Sequence, residues 1–335
     1  NGKGSITTFL EAILRAGGLR CGAYRSPHLI SWCERIRLDG RWIDPAILRA
    51  DLARWRPIAE RHHLTPFELL TAAAFERFAL ADLDLTVLEV GLGGRLDATT
   101  AHPQRQVLGF GAIGLDHCEH LGGTLAAIAA EKAGVLTPGA IAVSAPQEPE
   151  VAAVLEAAAR RQGAELRWVD ALPAAEEGGP RLGLQGAFQR ANAAVAVGMA
   201  QALAERGWRP GHGSAGGSPS AWRLEEAAIR AGLVTARWPG RLERRRYRGQ
   251  ALLIDGAHNP PAAAVLRHEL EALAPGPRRW LLGMQRHKDG EGILRRLLAP
   301  GARAWLPAIP ALRCWSRAER AAACPELAAQ LQEAG

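Results

Sequence analysis

The chain has 335 residues and a formal net charge of +7, with 48% hydrophobic, 22% charged and 5% aromatic residues. That length gives room for two domains and a well-buried core, and the balance of apolar and charged residues is that of an ordinary globular protein. No apolar run approaches the roughly 20 residues a membrane helix needs, and the cations are spread along the chain with few aromatics between them, which argues against both a membrane and a nucleic-acid partner. Five scattered cysteines (Cys21, Cys33, Cys118, Cys314, Cys324) form no CxxC pair and are expected to be reduced thiols of a cytoplasmic protein. Of 41 basic residues only Lys3, Lys132 and Lys288 are lysine. A chain that writes arginine wherever any cation serves marks its lysines as places needing a compact ammonium or a primary amine.

In chain order, Asn1-Gly2-Lys3-Gly4-Ser5 runs directly into an amphipathic stretch, Ile6 to Ala16. Glycines let successive N–H groups point at one anion, and the helix that follows turns its positive end toward it, so the segment reads as a phosphate loop. Lys3 would reach the phosphates and Ser5 would add a hydroxyl, although Gly4 stands where such loops usually carry Ser or Thr. Leu19 to Tyr24 reads as a strand, with Arg25-Ser26-Pro27-His28 as the polar loop at its end. Pro45 to His62 is helical. Thr65-Pro66-Phe67-Glu68 carries the signature of a helix start, and that helix should run to about Leu83.

Leu85 to Val90 is an apolar strand with Glu89 near its end, a costly position for an unpaired carboxylate. Gly91 to Thr99 is glycine-rich and adds Arg95 and Asp97. Further strands are expected at Val107 to Ile113, Ile141 to Ser144 and Leu166 to Val169. Helices are expected at Thr124 to Ala133, Glu150 to Gln162, Ala187 to Arg206 and Trp222 to Ala231, with a flexible Gly/Ser-rich tract at Gly211 to Pro219. After the turn Trp238-Pro239-Gly240-Arg241 a second α/β unit follows: strands Ala251 to Ile254, Trp280 to Gly283 and Ala302 to Leu306, helices Ala262 to Leu273 and Gly292 to Leu298, and a final helix Pro325 to Glu333. The alternation predicts a doubly wound, mostly parallel α/β sheet with a phosphate loop over residues 1–236. A smaller Rossmann-like α/β domain is expected over residues 237–335.

The motifs Asn1–Ser5, Ser26-Pro27-His28-Leu29, Thr65–Glu68, Glu89–Thr99, Leu115-Asp116-His117, Glu131–Gly134, Trp238–Arg241 and Asp255-Gly256-Ala257-His258-Asn259-Pro260 together resemble the folylpolyglutamate synthase/dihydrofolate synthase family, relatives of the Mur ligases. The resemblance implies ATP-dependent ligation of L-glutamate to a pteroate or folate carboxylate. It implies that Gly2, Lys3, Gly4 and Ser5 hold ATP phosphates and that Asn192, Arg241 and Asp255 contact the nucleotide, with His258 beside them as a catalytic candidate. Ser26, Glu89 and His117 match the family's Mg²⁺ ligands. Lys132 matches a lysine carbamylated to give an oxygen ligand for a second Mg²⁺, a conversion arginine cannot undergo. Thr65, Pro66, Phe67 and Glu68, with Leu96, Asp97 and Ala98, match segments that touch the pteroate. Lys288 has no assigned role. A monomer acting on small molecules is expected.

Family members extend beyond both ends of this sequence, so it reads as clipped at each terminus. Two other readings stand beside the first: a Mur-type amino-acid ligase of peptidoglycan synthesis, and a truncated nucleotide-binding fragment without turnover.

Overall fold

The structure is a computed structural model. It describes residues 1–103, 105–210, 221–273, 276–286, 288–307 and 316–334, so the tract Gly211 to Pro219 lies outside the described residues. The chain divides into two compact units, Asn1–Leu253 and Ile254–Gly335. The turn at Trp238–Arg241 and all of the strand Ala251 to Ile254 except its last residue, which the sequence reading assigns to the C-terminal domain, fall in the larger unit.

In the larger unit the elements run α1 Lys3–Ala16, β1 Cys21–Tyr24, β2 Ile36–Leu38, β3 Arg41–Trp42, α2 Pro45–Arg61, α3 Pro66–Leu80, β4 Leu85–Leu88, β5 Val107–Phe110, α4 Cys118–Leu121, α5 Leu125–Ala133, β6 Ile141–Ser144, α6 Pro149–Gln162, β7 Glu165–Trp168, α7 Gln189–Glu205, α8 Glu226–Thr235, β8 Glu243–Tyr247 and β9 Gln250–Ile254. The strands pair as β3-β2-β1-β4, as the all-parallel β5-β6-β7, and as the hairpin β8-β9. β1 and β4 are parallel, with Tyr24 opposite Leu88, so their C-terminal ends coincide. β2 and β3 run antiparallel at the edge.

α1 is apolar on more than one side because it is packed on more than one side. Ile6, Phe9, Leu10, Ile13 and Leu14 are all buried in one cluster with Val195 and Ala196 of α7 and Ile229 and Leu233 of α8. Each fully buried side chain of this kind contributes about 1.5–3 kcal/mol, so this layer fixes where the helix starts. α8 approaches so closely that a Cβ at Gly232 would fall against the backbone of Ile13. Gly232→Ala should therefore destabilise the fold by about 1–3 kcal/mol, read as a lower denaturant midpoint at unchanged slope.

The smaller unit contains α9 Pro260–Leu273, β10 Arg279–Leu281, α10 Gly290–Leu297, β11 Arg303–Pro307, α11 Arg317–Ala323 and β12 Leu331–Ala334, with β10-β11-β12 in one parallel sheet. The tail corrects the sequence reading. Pro325–Gln330 is a short 3₁₀ turn and Leu331–Ala334 a strand, because pairing with β11 outweighs the helical propensity of the alanines. Helix α8 likewise begins at Glu226 rather than Trp222, whose indole instead donates to the Gly17 carbonyl at 2.9 Å. Among the described residues no helix is long and apolar enough to cross a membrane.

Candidate functional site

Gly2 is the N-cap of α1 and sits in the left-handed region, at φ 81°, which glycine adopts without the steric cost of a Cβ. The Asn192 side chain occupies the place where a Gly2 Cβ would lie, and its Nδ2 donates to Gln189 Oε1 at 2.9 Å. The Trp238 ring occupies the corresponding place at Gly4. The Asn1 backbone N donates to the Ala112 carbonyl at 2.7 Å, which sets the loop just past the C-terminal end of β5. No side chain caps α1 and its first turn holds no acid, so its positive end meets no carboxylate of its own.

Glu89 follows β4 directly, rather than lying within the strand as the sequence reading has it. Its N–H donates to the Tyr24 carbonyl at 2.9 Å, so its side chain emerges beside the loop that ends β1. The carboxylate is 5% exposed and accepts from the Ser26 N–H at 3.1 Å. Burial pushes it up to about 7, against the opposing pull of Lys3, the Ser26 N–H, Arg25 and Arg241. Arg25 is itself buried and pairs with Glu11, to which Arg37 Nε also donates at 3.0 Å. Burial holds the Arg25 guanidinium at about 10, and it lies over the Trp238 ring at 4.9 Å. A carboxylate whose negative charge stays costly despite three nearby cations suits an added metal cation at the same spot.

Lys132 stands in the last turn of α5. The glycine-rich loop docks there because it lacks side chains: a Cβ at Gly94 would meet the carbonyl oxygens of Glu131 and Lys132 at 2.9 Å. The Arg95 N–H donates to the Glu131 carbonyl at 3.0 Å. Asp97 ties the loop to itself, accepting from the N–H groups of Leu92 and Thr99 and from the Thr99 hydroxyl. Burial lowers the Lys132 ammonium to about 8, Lys3 adds repulsion, and Asp116 opposes both. His117 has φ 52° and lies 3.8 Å from Asp116 and 3.8 Å from Glu119. Among the described residues no three His, Cys, Asp or Glu side chains cluster as a metal site. The set Ser26, Glu89, His117 and Lys132 contains only two residues of those types, so a metal here needs a hydroxyl and a lysine-derived oxygen to complete its ligands.

Lys3 is the electrostatic hub, acting on both Glu89 and Lys132. The larger unit thus brings together the glycine loop, Ser26, Glu89, Lys132, Asn192 and Arg241. The pteroate candidates are partly occupied in structural work. Thr65 and Glu68 close a capping box on α3, with Thr65 N–H and Oγ1 donating to Glu68 Oε2 at 2.7 and 2.8 Å. Phe67 packs its ring where a Gly91 Cβ would sit, and Leu96 is 80% exposed. Ala98 opens the short 3₁₀ turn that Asp97 caps. In the smaller unit, Asp255 accepts from the Ala257 N–H at 2.8 Å, His258 Nδ1 lies 2.9 Å from the Gly256 carbonyl, and Asn259 accepts from Ala262 at the start of α9. Sequence reasoning missed Glu11, Arg25 and Trp238 as supports of this site. The position of Arg25, at a strand end beside Ser26, was the available signal for it.

No family model matches the chain. It is similar to the mitochondrial folylpolyglutamate synthase of Homo sapiens, 36% identical over 291 residues that make up 81% of this chain and 50% of that protein. It is similar to the folylpolyglutamate synthase of Lacticaseibacillus casei, 31% identical over 92% of this chain and 75% of that protein. Among solved structures it is similar to Mycobacterium tuberculosis folylpolyglutamate synthase complexed with ADP and AMPPCP, with a TM-score of 0.85 and 31% identity over 100% of this chain and 79% of that one. The chain spans about half the length of several curated relatives it matches.

Proposed function

The chain belongs to the folylpolyglutamate synthase/dihydrofolate synthase family, and on that premise we propose that it joins L-glutamate to a folate or pteroate carboxylate at the expense of ATP. One observation carries the reading: an uncapped helix start, a lysine and a buried, poorly neutralised carboxylate converge at the C-terminal ends of strands. ATP phosphates belong at Gly2–Ser5, with Asn192 beside the loop and Arg241 adding charge. Asp255 is proposed as a further nucleotide contact and His258 as a catalytic residue.

A carboxylate is a poor electrophile and must be activated. Its oxygen attacks the γ-phosphorus, giving an acyl phosphate and ADP. The glutamate amine then adds to the acyl carbon, and the tetrahedral adduct expels phosphate. Lys3 and Arg241 offset charge on the transferring oxygens. His258 is proposed to receive the proton that the amine loses. Ser26, Glu89, His117 and a carbamate on Lys132 would hold divalent metal in two sites, which supplies further charge neutralisation at the phosphates. The double-wound arrangement around the phosphate loop and the Rossmann-like form of the smaller unit are part of this reading. So are the pteroate contacts at Thr65–Glu68 and Leu96–Ala98, and the action of a single chain in the cytoplasm.

The test is an assay of glutamate incorporation and ADP release with dihydropteroate and with tetrahydrofolate as separate acceptors. Incorporation with either supports the reading, and ATP hydrolysis stimulated by neither contradicts it. Lys3→Ala should reduce kcat by about 10²–10³ while the melting temperature stays unchanged.

A further inference from the structure

The larger unit holds a cavity of about 560 Å³ whose lining includes Glu11 and Arg25, which also support the site above, together with residues the ligation reading does not use. Thr8, Glu11 and Arg15 form one wall, spaced along a single face of α1. At 1.5 Å per residue, Arg15 lies roughly 16 Å down the helix axis from Gly4, far from the phosphate loop. Arg25, Arg37 and Arg237 close the other sides, from the loop after β1, from β2 and from the segment after α8.

Four arginines and one glutamate therefore line it, and Glu11 is already shared by Arg25 and Arg37. From outside the lining Asp39 pairs with Arg15 at 3.0 Å and Glu89 acts on Arg25, and with both counted the cations still exceed the acids by one. Arg25 is 6% exposed and its Nε has no hydrogen-bond partner. A buried charged donor left without an acceptor is costly, which marks the Arg25 side of the lining as short of negative charge. The forks are also held in place. Arg37 donates to the Gly40 carbonyl at 2.7 Å, and Arg237 donates to the carbonyls of Val234 and Ala236 at 2.6 and 2.8 Å. Guanidinium groups fixed in this way suit bidentate binding of phosphate or carboxylate, and the volume is that of a small-molecule site.

We infer that this cavity binds a small oxyanion of two or more charges through Arg15, Arg25 and Arg237. A phosphate-type ligand and a chain of carboxylates share that chemistry. The site goes beyond the ligation reading and does not depend on it.

Isothermal titration of the full chain, saturated with ADP to fill the glycine loop, tests the inference with two probes: pyrophosphate and γ-linked triglutamate. One or both should bind at a single site, and the double variant Arg15→Gln/Arg237→Gln should weaken that binding about tenfold or more. Binding of pyrophosphate alone identifies a phosphate source, and binding of triglutamate identifies a carboxylate source. Both altered residues are exposed, so the variant should keep the wild-type melting temperature. Each single variant, Arg15→Gln and Arg237→Gln, should show part of the loss. Absence of binding by both probes, or a loss smaller than tenfold in the double variant, overturns the site. Anion bound at the glycine loop instead would not respond to Arg15 or Arg237, which separates this result from any failure of the nucleotide reading.

Discussion

Lys132→Arg is expected to lower the ligation kcat by at least about 10²-fold while leaving folding intact. The substitution keeps a positive charge in the last turn of α5, where it complements the helix end. It removes the primary amine. Carbamylation begins when a neutral amine attacks CO₂, and the burial that lowers Lys132 to about 8 raises its neutral fraction near neutral pH. A guanidinium stays protonated and forms no oxygen ligand. If charge alone mattered, arginine would serve, as it does at 38 of the 41 basic positions. Steady-state rates and thermal melts on the same preparation check the prediction. Retained turnover would show that Lys132 works as a cation rather than as a carbamate.

Glu89→Gln should cost turnover about as much, again without loss of stability. The carboxylate is buried, accepts one hydrogen bond from the Ser26 N–H and is pushed up to about 7. Such a group does not stabilise the empty fold, and a neutral amide of the same shape should leave the melting temperature level or raise it. What the amide lacks is negative charge for a divalent cation. Rates at saturating Mg²⁺ should therefore stay depressed by about 10² or more. A melting temperature that falls together with the activity would make Glu89 a structural residue.

The parts of this molecule legible in the sequence are those whose physics is local. The capping box at Thr65 and Glu68 needs four consecutive residues and is found as read. The glycine loop and α1 are likewise set by neighbours in the chain, although the helix already begins at Lys3. The short strands β2 and β3 were not legible: they are three and two residues long and exist because β2 pairs with β1 and β3 pairs with β2. The same holds for β12, whose sequence favours helix and whose partner is β11. At the site, Glu89 stood out because an acid beside an apolar strand conflicts with its surroundings. Arg25 looked like any loop arginine. Its burial, its pairing with Glu11 and its stacking on Trp238 join residues 14 and 213 positions apart, and no local pattern carries that.

The most direct test follows the oxygen atoms. Ligation should be run with a pteroyl or folyl acceptor whose reacting carboxylate carries ¹⁸O, and the released phosphate analysed by mass spectrometry. Activation through an acyl phosphate predicts that each amide formed delivers one carboxylate oxygen to inorganic phosphate. Amide product accompanied by unlabelled phosphate would contradict it.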